Sequence, residues 1–174
     1  MLTPFQHKSP RRTARQAEAT RQIVAFCLRQ EWFALPIDVV QKVLPMGNVY
    51  GDIHLTGVSL TLYEGQELLV VDVGRRIFGE APSQNLLPAS NSKDIIIQHY
   101  LLVVQSSQGE LVGLAIDSSP KLRRVPESAF IPLPLAYMST TNIQCLSPLM
   151  IQTKDEPPIF LLNPDQLWES VSST

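Results

Sequence analysis

The residues with chemistry to offer are three histidines, two cysteines and several aspartates that close apolar runs. His7, His54 and His99 are scattered, and none has a Cys, His or carboxylate at the spacing of a metal-ligand set. Cys27 and Cys145 lie far apart in apolar surroundings, where a free cysteine behaves as a small buried hydrophobe. A nucleophile and base assembled from Cys145 and a histidine has no support in spacing. There is no Walker loop, no GxGxxG after a strand and no Cys-x-x-Cys pair. Asp38 and Asp117 read as an acid–base dyad or, more simply, as residues that each end an apolar run and cap or turn the next segment. Arg75-Arg76 and Arg123-Arg124 are solvated faces on the same simple reading, and nothing in the sequence supports phosphate binding. The expectation is no catalytic residue, no metal site and no cofactor.

The sharpest question is Asp72, which ends the run Leu68-Leu69-Val70-Val71 and precedes a short amphipathic segment. A repeat answers it. EWFALPIDVVQK at 31–42 aligns without a gap on ELVGLAIDSSPK at 110–121, and the strands before them, IVAF and LVVQ, are read in the same register. ELLVVDVGRRIF at 67–78 then parallels PIFLLNPDQLWE at 158–169, which sets Asp72 opposite Asn163. Asn cannot act as a general acid or base. Both types make good N-caps, because a side-chain oxygen accepts from a backbone N–H two or three residues on. Pro164 follows at a first helical position, where its missing N–H costs nothing. Asp72 and Asn163 are read as helix caps.

The elements that position these residues are mostly strands. Apolar and β-branched runs occupy 22–29, 67–72, 100–105, 111–117 and 158–163, with turn chemistry at Glu64-Gly65 and Ser107-Gln108-Gly109. The 14 prolines disfavour long helices, and short ones are expected at 36–43, 73–78 and 164–171. Ile37, Val40 and Val43 recur at helical spacing beside Asp38 and Lys42, an apolar stripe that is either core or the wall of a groove. Residues 1–20 read as a basic flexible tail, 21–170 as one domain of two intertwined β subdomains, 80–98 as a mobile linker and 171–174 as a short tail.

At 44% hydrophobic, 17% charged and a formal net charge of −2, the composition is that of an ordinary globular domain. It gives no electrostatic case for nucleic acid. No apolar run approaches the ~20 residues of a membrane span, and the basic N-terminal stretch has no apolar run after it that would make a secretory signal. A cytoplasmic chain without membrane insertion is expected.

Taken in order, IVAFCLRQEWFALPIDVVQKVLP, TGVSLTLYEGQELLVVDVGRRIFG, LLVVQSSQGELVGLAIDSSPKLRRVP, PLPLAYMST and IFLLNPDQLW resemble the CheW family, the coupling proteins of bacterial chemotaxis. The resemblance spans about residues 21 to 170. It implies a mostly-β fold of two pseudo-repeated five-stranded SH3-like β-barrels with short helices. It also implies a non-catalytic adaptor between a CheA-type histidine kinase and methyl-accepting chemoreceptors in a taxis or motility pathway, with other CheW-like domains as further partners. By position, the receptor groove would use Val24, Ile37, Val40, Val43, Val112 and Gly113, and the kinase face Lys42, Gly57 and Glu64. Family members usually carry an acidic residue where this chain has Lys42, and arginine where it has Glu64. The double inversion has two readings: coordinated exchange, in which Lys42 and Glu64 keep an ion pair or match a kinase of reversed charge, and drift with kinase coupling lost. The alternative function is a twin-barrel binding module for another protein or a small ligand.

Overall fold

The computed structural model describes residues 18–51, 57–79, 100–140 and 145–168. Arg29 and Gln30 both have positive φ, 48° and 73°. A two-residue turn of that kind matches the twist of an antiparallel hairpin, and it folds β1 (Thr20–Leu28) onto β2 (Glu31–Pro36). A 3-10 turn, Ile37–Val39, leads into β3 (Val40–Pro45). Glu64 and Gly65 form a second turn with positive φ between β4 (Val58–Tyr63) and β5 (Gln66–Asp72), which feeds helix α1 (Val73–Phe78). The second copy supplies β6 (Tyr100–Gln105), β7 (Leu111–Ile116), β8 (Lys121–Pro126) and β9 (Phe130–Pro132). Helix α2 (Leu135–Thr140), β10 (Leu146–Ile151), β11 (Ile159–Leu162) and α3 (Pro164–Trp168) complete it.

The fold is mostly β, in two sheets, and each sheet mixes the copies. One runs β8-β1-β2-β11-β10-β9 and the other β3-β6-β7-β5-β4. In both, the first two strands of one copy pair with later strands of the other. Each sheet has two junctions between the copies, one antiparallel (β1 with β8, β6 with β3) and one parallel, in which Phe33 registers with Phe160 between β2 and β11, and Val71 with Leu114 between β5 and β7. One sheet has six strands rather than five because β9 pairs with β10. Among the described residues the other sheet has only an isolated bridge, Tyr50 to Leu60, at the corresponding edge.

Alternation on each strand sends side chains to two different cores. The larger lies between the sheets and gathers Val24, Phe26, Phe33, Leu35, Leu102, Val104, Val112 and Leu114 with helix residues Ile77 and Leu167. Phe33 is its hub, with ring centroids 5.8 Å from both Phe78 and Phe160. Two smaller clusters belong to one sheet each: Ile23, Ala25, Ala34, Ile151 and Ile159 in the six-stranded sheet, and Leu68, Val70, Leu101, Val103 and Ala115 in the other.

Two expectations are corrected. Residues 36–43 are a 3-10 turn followed by a strand, not a helix. The ladder from β3 to β6 pairs Val40 with Val104 and then Lys42 with Val103, so Gln41 is an extra residue in a bulge. A bulge adds one to the strand period, which lets Val40 and Val43 share a face at a spacing of three. The strands ahead of the repeat are also offset by one. Leu28 pairs with Glu31, whereas Gln105 pairs with Leu111 and the ladder continues through Ser106 to Glu110, leaving a three-residue turn where the first copy has two. Val24 therefore corresponds to Leu102 rather than Val103, and both face the central core. The expected linker at 80–98, most of the N-terminal tail and the last four residues lie outside the described residues.

Gly113 sits on β7 between β6 and β5, and a Cβ there would lie 2.8 Å from Leu101 Cδ1 and 3.2 Å from Val70 Cγ2. Ala34 occupies the corresponding place on β2. Gly113→Val overpacks this cluster, and its expected cost is about 1–3 kcal/mol in a denaturant melt. An unchanged midpoint would mean that the cluster has slack the distances do not show.

Candidate functional site

Asp72 Oδ1 accepts from the Arg75 backbone N–H at 2.9 Å, at the first turn of α1. Asn163 Oδ1 accepts from the Asp165 backbone N–H at 3.1 Å, at the first turn of α3. The two side chains do the same work at equivalent places, which accounts for Asp72 as a helix cap. Asp38 lies inside the 3-10 turn, whose preceding residue is Pro36 with no side-chain cap bond; Asp38 and Asp117 are both exposed. At the second of these places it is Ser118 that bonds, its Oγ accepting from the Cys27 backbone N–H at 2.9 Å.

Cys145 is poorly placed to act as a nucleophile. It is buried, and burial pushes its thiol up, an effect the neighbouring Arg76 only partly offsets. A protonated thiol is a poor nucleophile. Arg76 also donates to the Gln166 carbonyl at 3.3 Å, tying α1 to α3, and so is more than a solvated charge. All three histidines lie outside the described residues. Among the described residues no three of His, Cys, Asp and Glu gather as a metal site.

The residues assigned by resemblance to a receptor groove do not share one open surface. Val24 and Val112 are inside the central core, and Gly113 points to the other face of β7, into the small cluster. Ile37 and Val40 are half-buried against the central core, while Val43 is 42% exposed. Ile37, Val40 and Val43 thus form the part that reaches the surface. Leu122, the repeat equivalent of Val43 on β8, is also exposed, and its place is hidden in the sequence because KLRRVP looks like a charged turn.

Of the residues assigned to a kinase face, Lys42 and Glu64 come together and Gly57 does not. Lys42 Nζ lies 3.8 Å from Glu64 Oε1 and 5.8 Å from the Tyr63 ring centroid. Burial and then a hydrogen bond with Glu64 push the Tyr63 phenol up. Gly57 stands at the opposite end of β4, with φ of 75° and its carbonyl accepting from the Asp72 N–H at 2.9 Å. Between Gly57 and Glu64, β4 is inverted relative to an ordinary strand. Ser59 and Thr61 are buried, while Leu60 and Leu62 are exposed, Leu62 by 62%. Tyr50 lies exposed beside them, bridged to Leu60. Leu60, Leu62 and Tyr50 thus make an exposed apolar row rimmed by the Lys42–Glu64 pair.

The geometry describes a double-sheet binding scaffold. A family model described as CheW-like domain matches residues 22–172, and the chain belongs to that family, whose members are non-catalytic scaffold proteins. No curated protein matches the sequence. Among solved structures it is similar to the crystal structure of scaffolding protein TtCheW from Thermoanaerobacter tengcongensis. That likeness has a TM-score of 0.63 at 23% identity, over 87% of this chain and 94% of that one. Among the described residues no helix is long and apolar enough to cross a membrane.

Two measurements check the site. Asp72→Ala should cost about 1 kcal/mol of stability, while Asp72→Asn should change it by only a few tenths, as expected of a cap. Glu156, in the β10–β11 turn, is bonded by Thr153 Oγ1 and by Arg123, and these hold its carboxyl below the ordinary value of 4.5. A depressed folded value means that the unfolded chain takes up protons first. The stability from Glu156 is therefore present above the ordinary carboxylate range and lost as pH falls through the folded value. A thermal melt series from neutral pH to pH 3 should show a shallower acid decline for Glu156→Gln than for the parent protein.

Proposed function

We propose that this chain couples a CheA-type histidine kinase to methyl-accepting chemoreceptors in a taxis or motility pathway, as a non-catalytic adaptor in the cytoplasm at receptor arrays. The observation that carries the reading is the match to the CheW-like domain over residues 22–172, nearly all of the described chain. The surface supports it. The kinase would dock on the outward row of β4, Leu60 and Leu62 between Gly57 and Glu64, with Tyr50 beside it. The receptor tip would use Ile37, Val40 and Val43, the last two on the opposite face of β3 from Lys42.

The inverted charges fit coordinated exchange better than drift, since Lys42 and Glu64 lie within ion-pair distance of each other. A partner that meets this rim faces a nearly neutral pair flanking apolar side chains. Desolvating one half alone would cost more than desolvating both together.

The test is calorimetric titration against the regulatory domain of each CheA-type kinase of the same genome. One of them should bind. Leu62→Asp should weaken that binding tenfold or more, about 1.4 kcal/mol, without loss of fold, since the side chain is already exposed. Val43→Asp should leave kinase binding intact and weaken binding of a receptor-tip fragment. Failure of the intact protein to bind any kinase removes the coupling reading and leaves a binding module for another partner.

A further inference from the structure

Each sheet carries the same device. In the sheet orders β3 and β4 stand at opposite ends of one sheet, and β8 and β9 at opposite ends of the other; among the described residues no strand pairing joins either pair of ends. Yet Lys42 on β3 reaches Glu64, in the turn joining β4 to β5 at the far end. Arg123 on β8 reaches Glu156, in the turn joining β10 to β11 near the far end of its own sheet. Since β3 corresponds to β8, and the two turns correspond likewise, the ion pairs are repeat equivalents although their residues are not aligned one to one. Each side-chain pair thus crosses between segments that are not neighbours in the sheet order, β3 to the β4–β5 turn and β8 to the β10–β11 turn. A cavity marks each seam: about 410 Å³ beside Trp32, Arg123 and Glu156, and about 330 Å³ beside Leu44, Thr61 and Tyr63.

The two ion pairs differ in length, exposure and support, although a lysine lies over an aromatic ring at each seam, Lys42 5.8 Å from Tyr63 and Lys121 5.7 Å from Trp32. Arg123 meets Glu156 at 2.6 Å with the side chains 29% and 43% exposed, whereas Lys42 meets Glu64 at 3.8 Å with 51% and 70% exposed. Arginine offers a planar fork and lysine a hydrated point charge. Glu156 is further held by Thr153 Oγ1, and its carbonyl accepts from Gln152 Nε2 at 3.2 Å. Among the described residues the edge beside the first seam has three ladder pairs between β9 and β10, and the edge beside the second has one bridge, Tyr50 to Leu60.

We propose that the two ion pairs are seam clasps of unequal strength, and that the five-stranded sheet opens along its β3–β4 seam while the six-stranded sheet stays shut. The labile clasp consists of Lys42 and Glu64. A further consequence rests on the coupler reading: the kinase docks on the seam that moves and holds it closed.

Hydrogen exchange on the full chain tests this without any partner. Peptides covering β3 and β4 should exchange faster than those covering β8 and β10. Glu64→Gln should raise exchange at β3 and β4 by up to about fivefold, the ceiling for one exposed ion pair. Lys42→Glu combined with Glu64→Lys should return it toward the parent rate, and added salt should mimic Glu64→Gln at this seam only. Equal exchange at both seams, or no response to Glu64→Gln, overturns the proposal. These variants change exposed side chains, so the fold is not at stake. With kinase regulatory domain present, protection should appear at β3 and β4. If no kinase binds, the coupler reading fails while the partner-free exchange still decides the clasp.

Discussion

The pairing of strands from different copies, antiparallel in β1–β8 and β3–β6 and parallel in β2–β11 and β5–β7, is what makes this chain one body. Parallel neighbours cannot be joined by a tight turn, so each such pair draws together segments from different halves of the chain. The hairpin β1–β2 therefore finishes its sheet with strands of the second copy, and β6–β7 finishes the other with strands of the first. The central core is a result of this exchange. Val24, Phe33 and Leu35 on one side meet Leu102, Val112 and Leu114 on the other, each worth about 1.5–3 kcal/mol when fully buried. Neither sheet has a complete set of strands without both copies.

Much of this was legible in the sequence, and the failures have physical causes. The apolar runs of β1, β5, β6, β7 and β11 stand out because these strands lie inside the sheets and are buried on both faces. β3 and β8 are edge strands with one face wet, so their signals are mixed with Lys42, Lys121, Arg123 and Arg124. In β3 the bulge at Gln41 changed the period from two toward three, and a strand came to look like a helical stripe. In β10 the ladder shifts between Leu146 and Met150, around Pro148, which interrupts the apolar run. The one-residue difference in hairpin turns moved the apparent register of β1 against β6, which flips faces without changing composition.

The site was legible in part. Aspartate and asparagine in matching places pointed to capping, because chemistry would not tolerate the exchange and capping does. Which surface faces partners was less so. Exposure of Leu60 and Leu62 depends on β4 turning its serine and threonine inward, and an alternating pattern does not say which face is buried. Pairing of Lys42 with Glu64 depends on the arrangement of a whole sheet, information that is spread over five strands. The family assignment is independent of these details, since it rests on order and spacing along most of the chain.

The strand exchange also sets a schedule. Synthesis delivers β1 and β2 first, but the neighbour that registers Phe33 against Phe160 is the last strand of the described chain. Until β11 leaves the ribosome, the hairpin has an unpaired edge and an apolar face with no counterpart. Contacts so distant in sequence must close long loops before they return any energy, which makes for slow completion. Early strands are made first and finished last. The nascent first copy is thus in need of protection from aggregation until the second copy, which supplies its native neighbours, has been made.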